Sequence, residues 1–539
     1  MCRGRLRPAA RLAGRILQAA THTQRTCEPD GASVDFRWMT AIETYNEGAT
    51  HKVIRSLYAM SAKFVFGSSA SYLAVTIVDN AARLLLLPWM TRILSPADYG
   101  VMLLIGNGAA LINLLFGFVL GQALPSMFSN ALTDASRRSV ATTIIFSMSV
   151  VLSTCYLAAF LLSREISVFF LHTATYEVVI KLGAFSALMS ALALCLVPLV
   201  RLVEQHKLYL FIQMPALVFQ IGLLAGFIAT SSLTINSQYI AIGLGSLFTT
   251  VAYAFVLKRW LTGGFQLSKL AEAARVGAQI LPWQLALFLT TSSAGFFLTR
   301  TGHVDESGLL LVASGAAGIL VLLSGSFEGV WTAFVLRRKD QPDIAGTQVR
   351  IFSLYSAALL MAASALCIFA HELFVIMAGP NFRNGYLLVP GLAAAYCLFC
   401  FVNGFAQGLQ ARQRTIHYAW IGAVASATFA VLAISLTPGY GAWGIIAAMI
   451  TSFLVMLVLL QTVSAKFMPV AYPWIRHGLM LLSAAAIVYG VFSLEVGWSS
   501  FAIKLIALAG IALLTFAFGA IGVSDLRVPL RLISRRFAA

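Results

Sequence analysis

Between Phe64 and Val523 the chain divides into about fourteen apolar stretches of roughly 20 residues, each long enough to cross about 30 Å of hydrocarbon as a helix. In lipid every backbone N–H and C=O must find a partner inside the protein, so only helices and closed barrels can span. Stretches of this length select helices. The charge content agrees: 11% of residues are charged, against about 25% in an ordinary soluble domain. The sequence therefore predicts an all-α, polytopic membrane protein.

The spans are expected at 64–90, 99–124, 139–162, 178–203, 208–231, 237–257, 276–299, 307–336, 350–378, 384–409, 417–437, 441–464, 474–494 and 499–522. A net charge of +17 raises the question of nucleic-acid binding, and the placement of the charges answers it. With a cytoplasmic N-terminus, the loops after even-numbered spans hold Arg137, Arg138, Lys207, Lys258, Arg259, Lys269, Arg275, Arg337, Arg338, Lys339, Arg412, Arg414, Lys466 and Arg476. The tail adds Arg527, Arg531, Arg535 and Arg536, whereas the opposite loops hold Arg92, Arg164, Arg300, Arg383 and a borderline Lys181. This is the positive-inside bias. It orients the chain with both termini in the cytoplasm and leaves no basic face for a nucleic acid.

Residues 1–60 are of another kind. Arg3, Arg5, Arg7, Arg11 and Arg15 precede the first acid, Glu28. Such a segment is read as a basic arm on anionic lipid, a transit peptide, or a leader upstream of a true start at Met39 or Met60. It does not read as a folded domain. Seven cysteines give no disulfide framework, because five lie in spans. Cys397-Leu-Phe-Cys400 has metal-pair spacing but no His or acid beside it, so no metal or cofactor is expected.

The longest polar internal connection, 258–275, divides the chain into similar parts. Thr91-Arg92 with Gly100 recurs as Thr299-Arg300 with Gly308, 208 residues on, and Arg201–Lys207 corresponds to Gly408–Arg414 at an offset of 207. The expected organisation is a basic tail (1–60), a six-helix bundle (61–257), a linker (258–275), a second six-helix bundle (276–464), and two terminal helices with a basic tail (465–539). Parallel repeats of this kind place a substrate cavity between the halves.

The stretch Leu84-Leu-Leu-Leu-Pro-Trp-Met-Thr-Arg-Ile-Leu-Ser-Pro-Ala-Asp-Tyr-Gly100, together with Phe374–Phe382 and Leu409-Gln-Ala-Arg-Gln-Arg414, resembles the polysaccharide (Wzx-type) flippases of the multidrug/oligosaccharidyl-lipid/polysaccharide exporter superfamily. The resemblance covers about 64–522. It implies a non-enzymatic flippase in a bacterial inner membrane that moves a polyprenyl-diphosphate-linked glycan by alternating access. Membrane lipid, a polysaccharide polymerase and glycosyltransferases are the implied partners.

Ionisable side chains at membrane depth cost about 2.5–3.5 kcal/mol each on insertion scales and usually face a cavity or a partner. Asp79 and Arg83, four residues apart, share one face of the first span. Either they neutralise each other, or Arg83 draws in a diphosphate while Asp79 holds it or takes a coupling proton. Glu328, beside Ser324 and Trp331, is a candidate proton carrier or a carboxylate bonded to a neighbouring helix. Arg92 and Arg300 sit at outer span ends, where snorkelling competes with contact to a departing headgroup. Arg201 and Arg275 occupy inner rims, as orienting charges or entry contacts. Asn113, Gln122, Gln213, Gln279, Gln284, Asn403 and Gln407 suit either sugar recognition or helix association. Pro88, Pro198, Pro215 and Pro282 bend or end helices. A small-cation exporter would want a net acidic cavity. A polyprenyl-sugar glycosyltransferase or ligase would want acids or histidines on a large outer loop, and 163–177 offers only Glu165, His172 and Glu177.

Overall fold

The computed structural model describes residues 75, 78–79, 85–203, 206–338, 344–405, 416–467, 470, 472–492, 494 and 497–517. Most of the expected first span lies outside these residues, with Arg83, the 1–60 and 523–539 tails, Gln407 and the Leu409–Arg414 motif. Among the described residues the secondary structure is entirely helical.

Residues 85–93 are helical and lead into α1 (Pro96–Ile112). The Ser95 hydroxyl accepts from the Asp98 N–H, and the Asp98 carboxylate accepts from the Ser95 N–H. With proline in the first turn, this capping box explains the Ser-Pro-Ala-Asp pattern physically. The helix continues through a π turn, Asn113–Phe118, to Val119–Gly121. A short helix, Ala123–Asn130, precedes α2 (Asp134–Leu161), capped by Thr133; then come the short α3 (Ser163–Leu171), α4 (Glu177–Leu202), α5 (His206–Ala229) and α6 (Ile235–Leu257).

The expected 258–275 connection is only partly a loop. Lys258–Trp260 forms a 3-10 turn, and α7 (Leu267–Ser292) begins well before residue 276. Lys269, Glu272 and Arg275 read as loop because they are charged, but a helix extended past the lipid carries charge at no insertion cost. The turn is held down on α2: Thr142 and Thr143 hydroxyls accept from the Gly263 and Gln266 N–H groups at 3.0 and 3.1 Å, and Ser139 donates to the Gly264 carbonyl.

After Ser293, α8 (Ala294–Arg300) bends by 49° from α7. The remaining described α-helices are α9 (Val304–Arg338), α10 (Ile344–Ile368), the short α11 (Ala370–Met377), α12 (Val389–Phe405), which a 3-10 segment Pro380–Leu388 leads into, α13 (Ile416–Phe467), α14 (Trp474–Phe492) and α15 (Trp498–Ala517). Eleven described helices are long and apolar enough to cross a membrane, and the α7–α8 pair makes twelve. The 52-residue α13 contains two of the expected spans, which meet at Gly441 (φ 51°, ψ −128°). That backbone region is essentially reserved for glycine. Glu306, at the start of α9, accepts from the Ala442 N–H at 2.7 Å and caps the second segment.

Two main cores form, one around Leu124, Ile144, Leu199 and Tyr253 and a larger one around Phe352, Phe382, Phe429 and Phe453. The terminal α14 and α15 pack against α10 through Met480, Ala484, Ile511 and Ile368. Helices α1 and α9 cross at two glycines: a methyl group on Gly100 would overlap the Val304 carbonyl, and one on Gly308 would overlap the Pro96 carbonyl.

Candidate functional site

A cavity of about 420 Å³ lies among α1, α2 and α4, inside the first half rather than between the halves. Its walls are apolar (Met148, Leu152, Leu194), and Asn113, Gln122 and Arg201 supply the polar groups. The π turn of α1 and Pro198 of α4 both border it. Each interrupts the regular i→i−4 ladder, and such interruptions are frequent where helices form sites. Asn113 is fixed from behind. The Tyr156 hydroxyl lies 3.1 Å from Asn113 Oδ1 and 3.2 Å from the Ala109 carbonyl, two acceptors that share its proton. With Oδ1 so engaged, the amide N–H groups are what Asn113 offers a ligand.

Arg201 is exposed at the basic end of the bundle and lines the cavity mouth. Asp79 is half-buried, and the Tyr209 hydroxyl lies within electrostatic reach of both Asp79 and Arg201. The structure thus brings Asp79 and Arg201 into one neighbourhood around Tyr209. Arg201 reads in the sequence as one more orienting charge. What marks it is its register on α4, three residues beyond the cavity-lining Pro198.

Glu328 lies in the second half, half-buried on α9. The buried Ser324 hydroxyl donates to Glu328 Oε1 at 2.9 Å and lies 2.7 Å from the Tyr355 hydroxyl of α10. Since Ser324 has one proton and spends it on the carboxylate, Tyr355 donates to Ser324. The Tyr355 ring stacks on Phe327 with centroids 4.1 Å apart. Glu328 is therefore bonded within its own helix and tied through Ser324 to α10. The Cys400 sulfur lies 3.8 Å from the Leu320 carbonyl. Among the described residues no group of three or more His, Cys, Asp or Glu is placed to hold a metal.

The other candidate arginines separate. Arg275 is exposed on α7 near the basic end, and Arg92 is exposed at the charge-poor end. Arg300, also exposed there, has its guanidinium 3.1 Å from His172 Nε2 and 5.0 Å above the Phe169 ring. The sequence reading missed Lys504, although it is the one charged residue of α15. Lys504 is fully buried and binds Glu372 of α11 at 2.6 Å.

Together these features define a polytopic helical bundle with an apolar-walled cavity that carries Asn113, Gln122 and Arg201 in its lining. No family model matches the sequence, and no curated protein matches it. Its fold is nonetheless that of known transporters. The lipid II flippase MurJ in an inward closed conformation superposes with a TM-score of 0.64 at 12% identity, over 84% of this chain and 99% of that one. An inward-facing multidrug resistance MATE family transporter of the MOP superfamily gives 0.53 at 15% identity, over 72% of this chain and 95% of that one. The chain shares its fold with these two proteins.

Proposed function

We propose that this protein is a flippase that carries a polyprenyl-diphosphate-linked oligosaccharide across a bacterial inner membrane by alternating access, without enzymatic chemistry. The observation that carries the reading is the Arg201-tipped cavity in a fold shared with a lipid II flippase. A guanidinium suits a diphosphate because its planar fork donates two parallel hydrogen bonds to oxygens. Asn113 and Gln122 offer amides to sugar hydroxyls, and the apolar walls exclude water. On this reading Asp79 works beside Arg201 in receiving the headgroup, and Arg83, which lies outside the described residues, draws in the diphosphate. Glu328 carries the coupling proton through Ser324 and Tyr355. Arg275 attracts the headgroup on entry, and Arg92 and Arg300 meet it on release.

The same reading takes both termini as cytoplasmic and the chain as fourteen spans, with bundles 61–257 and 276–464 joined by 258–275 and followed by a terminal pair. A polysaccharide polymerase and glycosyltransferases are the proposed neighbours in its pathway. The likeness to a multidrug transporter keeps one alternative, an ion-coupled small-molecule exporter. Deletion of the gene distinguishes the two. Lipid-linked oligosaccharide trapped on the cytoplasmic face supports the flippase. Normal surface glycan, without a redundant flippase and with heightened drug sensitivity, contradicts it.

A further inference from the structure

We propose that the first half holds a phosphatidylethanolamine from the leaflet at the charge-poor end, with one acyl chain in a second cavity beneath α3 and the zwitterionic headgroup on Arg164, Glu165, Glu177 and Lys181. The proposal goes beyond the flippase reading and stands whatever the cargo is.

A cavity of about 290 Å³ continues the line of the Arg201 cavity along the same three helices. The Arg201 cavity takes positions from 110 to 122 on α1 and its continuation, 148 and 152 on α2, and 191 to 201 on α4. The second takes 104 to 112, 156 and 159, and 180 to 187. On each helix the second set lies nearer the charge-poor end. Tyr156 stands at the division, its hydroxyl turned to Asn113 Oδ1 at 3.1 Å and to the Ala109 carbonyl at 3.2 Å. The rest of the wall is hydrocarbon, with Leu104, Ile166, Phe170, Ile180 and Phe296 its larger members.

Water does not fill such a space. A dry cavity of about 150 Å³ lined by Leu, Ile and Phe takes up benzene instead, and this one is larger. A hydrocarbon chain restores the dispersion contacts that an empty wall forfeits. The nearest hydrocarbon is the bilayer, because Leu157, Phe160 and Leu161 of α2 and Phe169 of α3 are exposed beside the lining residues Tyr156, Ala159 and Phe170. Gly108 lines the cavity with nothing within 4 Å of its Cβ position, so the room reaches the backbone of α1.

The rim selects the headgroup. Arg164 and Glu165 directly precede the lining residue Ile166, and Lys181 directly follows Ile180. Lys181 binds Glu177 at 2.6 Å with its ammonium 5.9 Å from the Phe160 ring, and Arg164 lies within electrostatic reach of Glu177. Cations and carboxylates therefore alternate there. A phosphate tethered to an ammonium matches that alternation: Arg164 and Lys181 donate to the phosphate, and Glu165 and Glu177 accept from the ammonium. A choline headgroup has no N–H to donate. A diphosphate would bring anions alone to a rim half made of carboxylates. The cargo's own chain is therefore not the occupant, and Tyr156 closes the way from the Arg201 cavity.

The test uses the full-length protein in vesicles with a trace of phosphatidylethanolamine that bears a diazirine on one acyl chain, photolysed and mapped by mass spectrometry. Label should fall on the cavity segments of α1, α2, α3 and α4. It should exceed that from the matching phosphatidylcholine at least about five-fold, the discrimination that charge-assisted N–H donors supply. Gly108→Phe fills the cavity and should cut this labelling about ten-fold. Gly106→Phe, exposed on the same helix with open space around its Cβ position, should leave it unchanged. Glu177→Gln should bring the two lipids within about two-fold of each other. Equal labelling by the two lipids in the native protein, or undiminished labelling in Gly108→Phe, overturns the proposal. So does stronger labelling from a polyprenyl diphosphate carrying the same diazirine. Where Gly108→Phe does not fold, Ala187→Phe fills the cavity from α4. If neither folds, the map on the native protein decides, and label scattered over the lipid-facing surface overturns the site. No readout here involves flipping, so failure of the flippase reading leaves the measurement intact.

Discussion

Lys504 and Glu372 give the sharpest test of how this chain is held together. Lys504 has no exposed side-chain surface and Glu372 only 15%, with Nζ and Oε1 2.6 Å apart. The second carboxylate oxygen, Oε2, is buried without a hydrogen-bond partner, so the ammonium is its main compensation. Removing one member of such a pair strands the other charge, at about 3–5 kcal/mol, while replacing both with apolar groups of similar volume is often neutral or stabilising. Lys504→Met and Glu372→Leu should therefore each destabilise, and the double variant should recover most of the loss. With an unfolding entropy of about 2 cal/mol/K per residue, a chain of this length loses about 1 °C of midpoint per kcal/mol, so each single variant should melt about 3–5 °C lower. The assay is the loss of monodisperse protein from detergent on heating, compared at one heating rate because unfolding of this kind is kinetic. A double variant as unstable as the sum of the singles would refute the argument, because the charges would then be acting independently.

Three further outcomes follow. Arg201→Gln should cut flipping at least about ten-fold, the loss expected for one charge-assisted bond, with little loss of protein, whereas Arg275→Gln should stay within about two-fold; a leaflet-specific assay of lipid-linked glycan checks both. Gly441→Ala should destabilise by about 1–3 kcal/mol, because an alanine there needs a forbidden backbone and displaces the Glu306 carboxylate; thermal unfolding reads it, and Gly439→Ala, with open space around it, serves as control. Glu328→Gln keeps the bond to Ser324 and removes the charge, so it should abolish proton-coupled transport while leaving the melting midpoint within about 1 °C; intact coupling would return Glu328 to a structural role.

The membrane class was legible because hydrocarbon thickness acts on every span alike, and apolar length reports it directly. The Thr91–Gly100 stretch was legible as a pattern, but its meaning was not. Ser95 and Asp98 cap α1, Thr91 receives Gly379, and Gly100 takes a carbonyl of the other half. Contacts between residues some 200 to 290 apart leave no periodic trace in a sequence. The start of α7 was missed because charge was equated with loop. The importance of Arg201 was hidden by many similar charges with the same orienting role. Lys504 was readable, since one lysine in an apolar span requires a partner. Its partner, Glu372, stands on a short helix that no hydropathy window resolves.

The central claim is that this bundle moves an anionic lipid-linked glycan from one leaflet to the other. The most direct test reconstitutes the purified protein in vesicles holding a fluorescent polyprenyl-diphosphate oligosaccharide, and follows protection of the label from an impermeant quencher. The account predicts transbilayer exchange that depends on the protein and is lost in Arg201→Gln. Exchange no faster than in protein-free vesicles, under an imposed pH gradient and membrane potential, would contradict it.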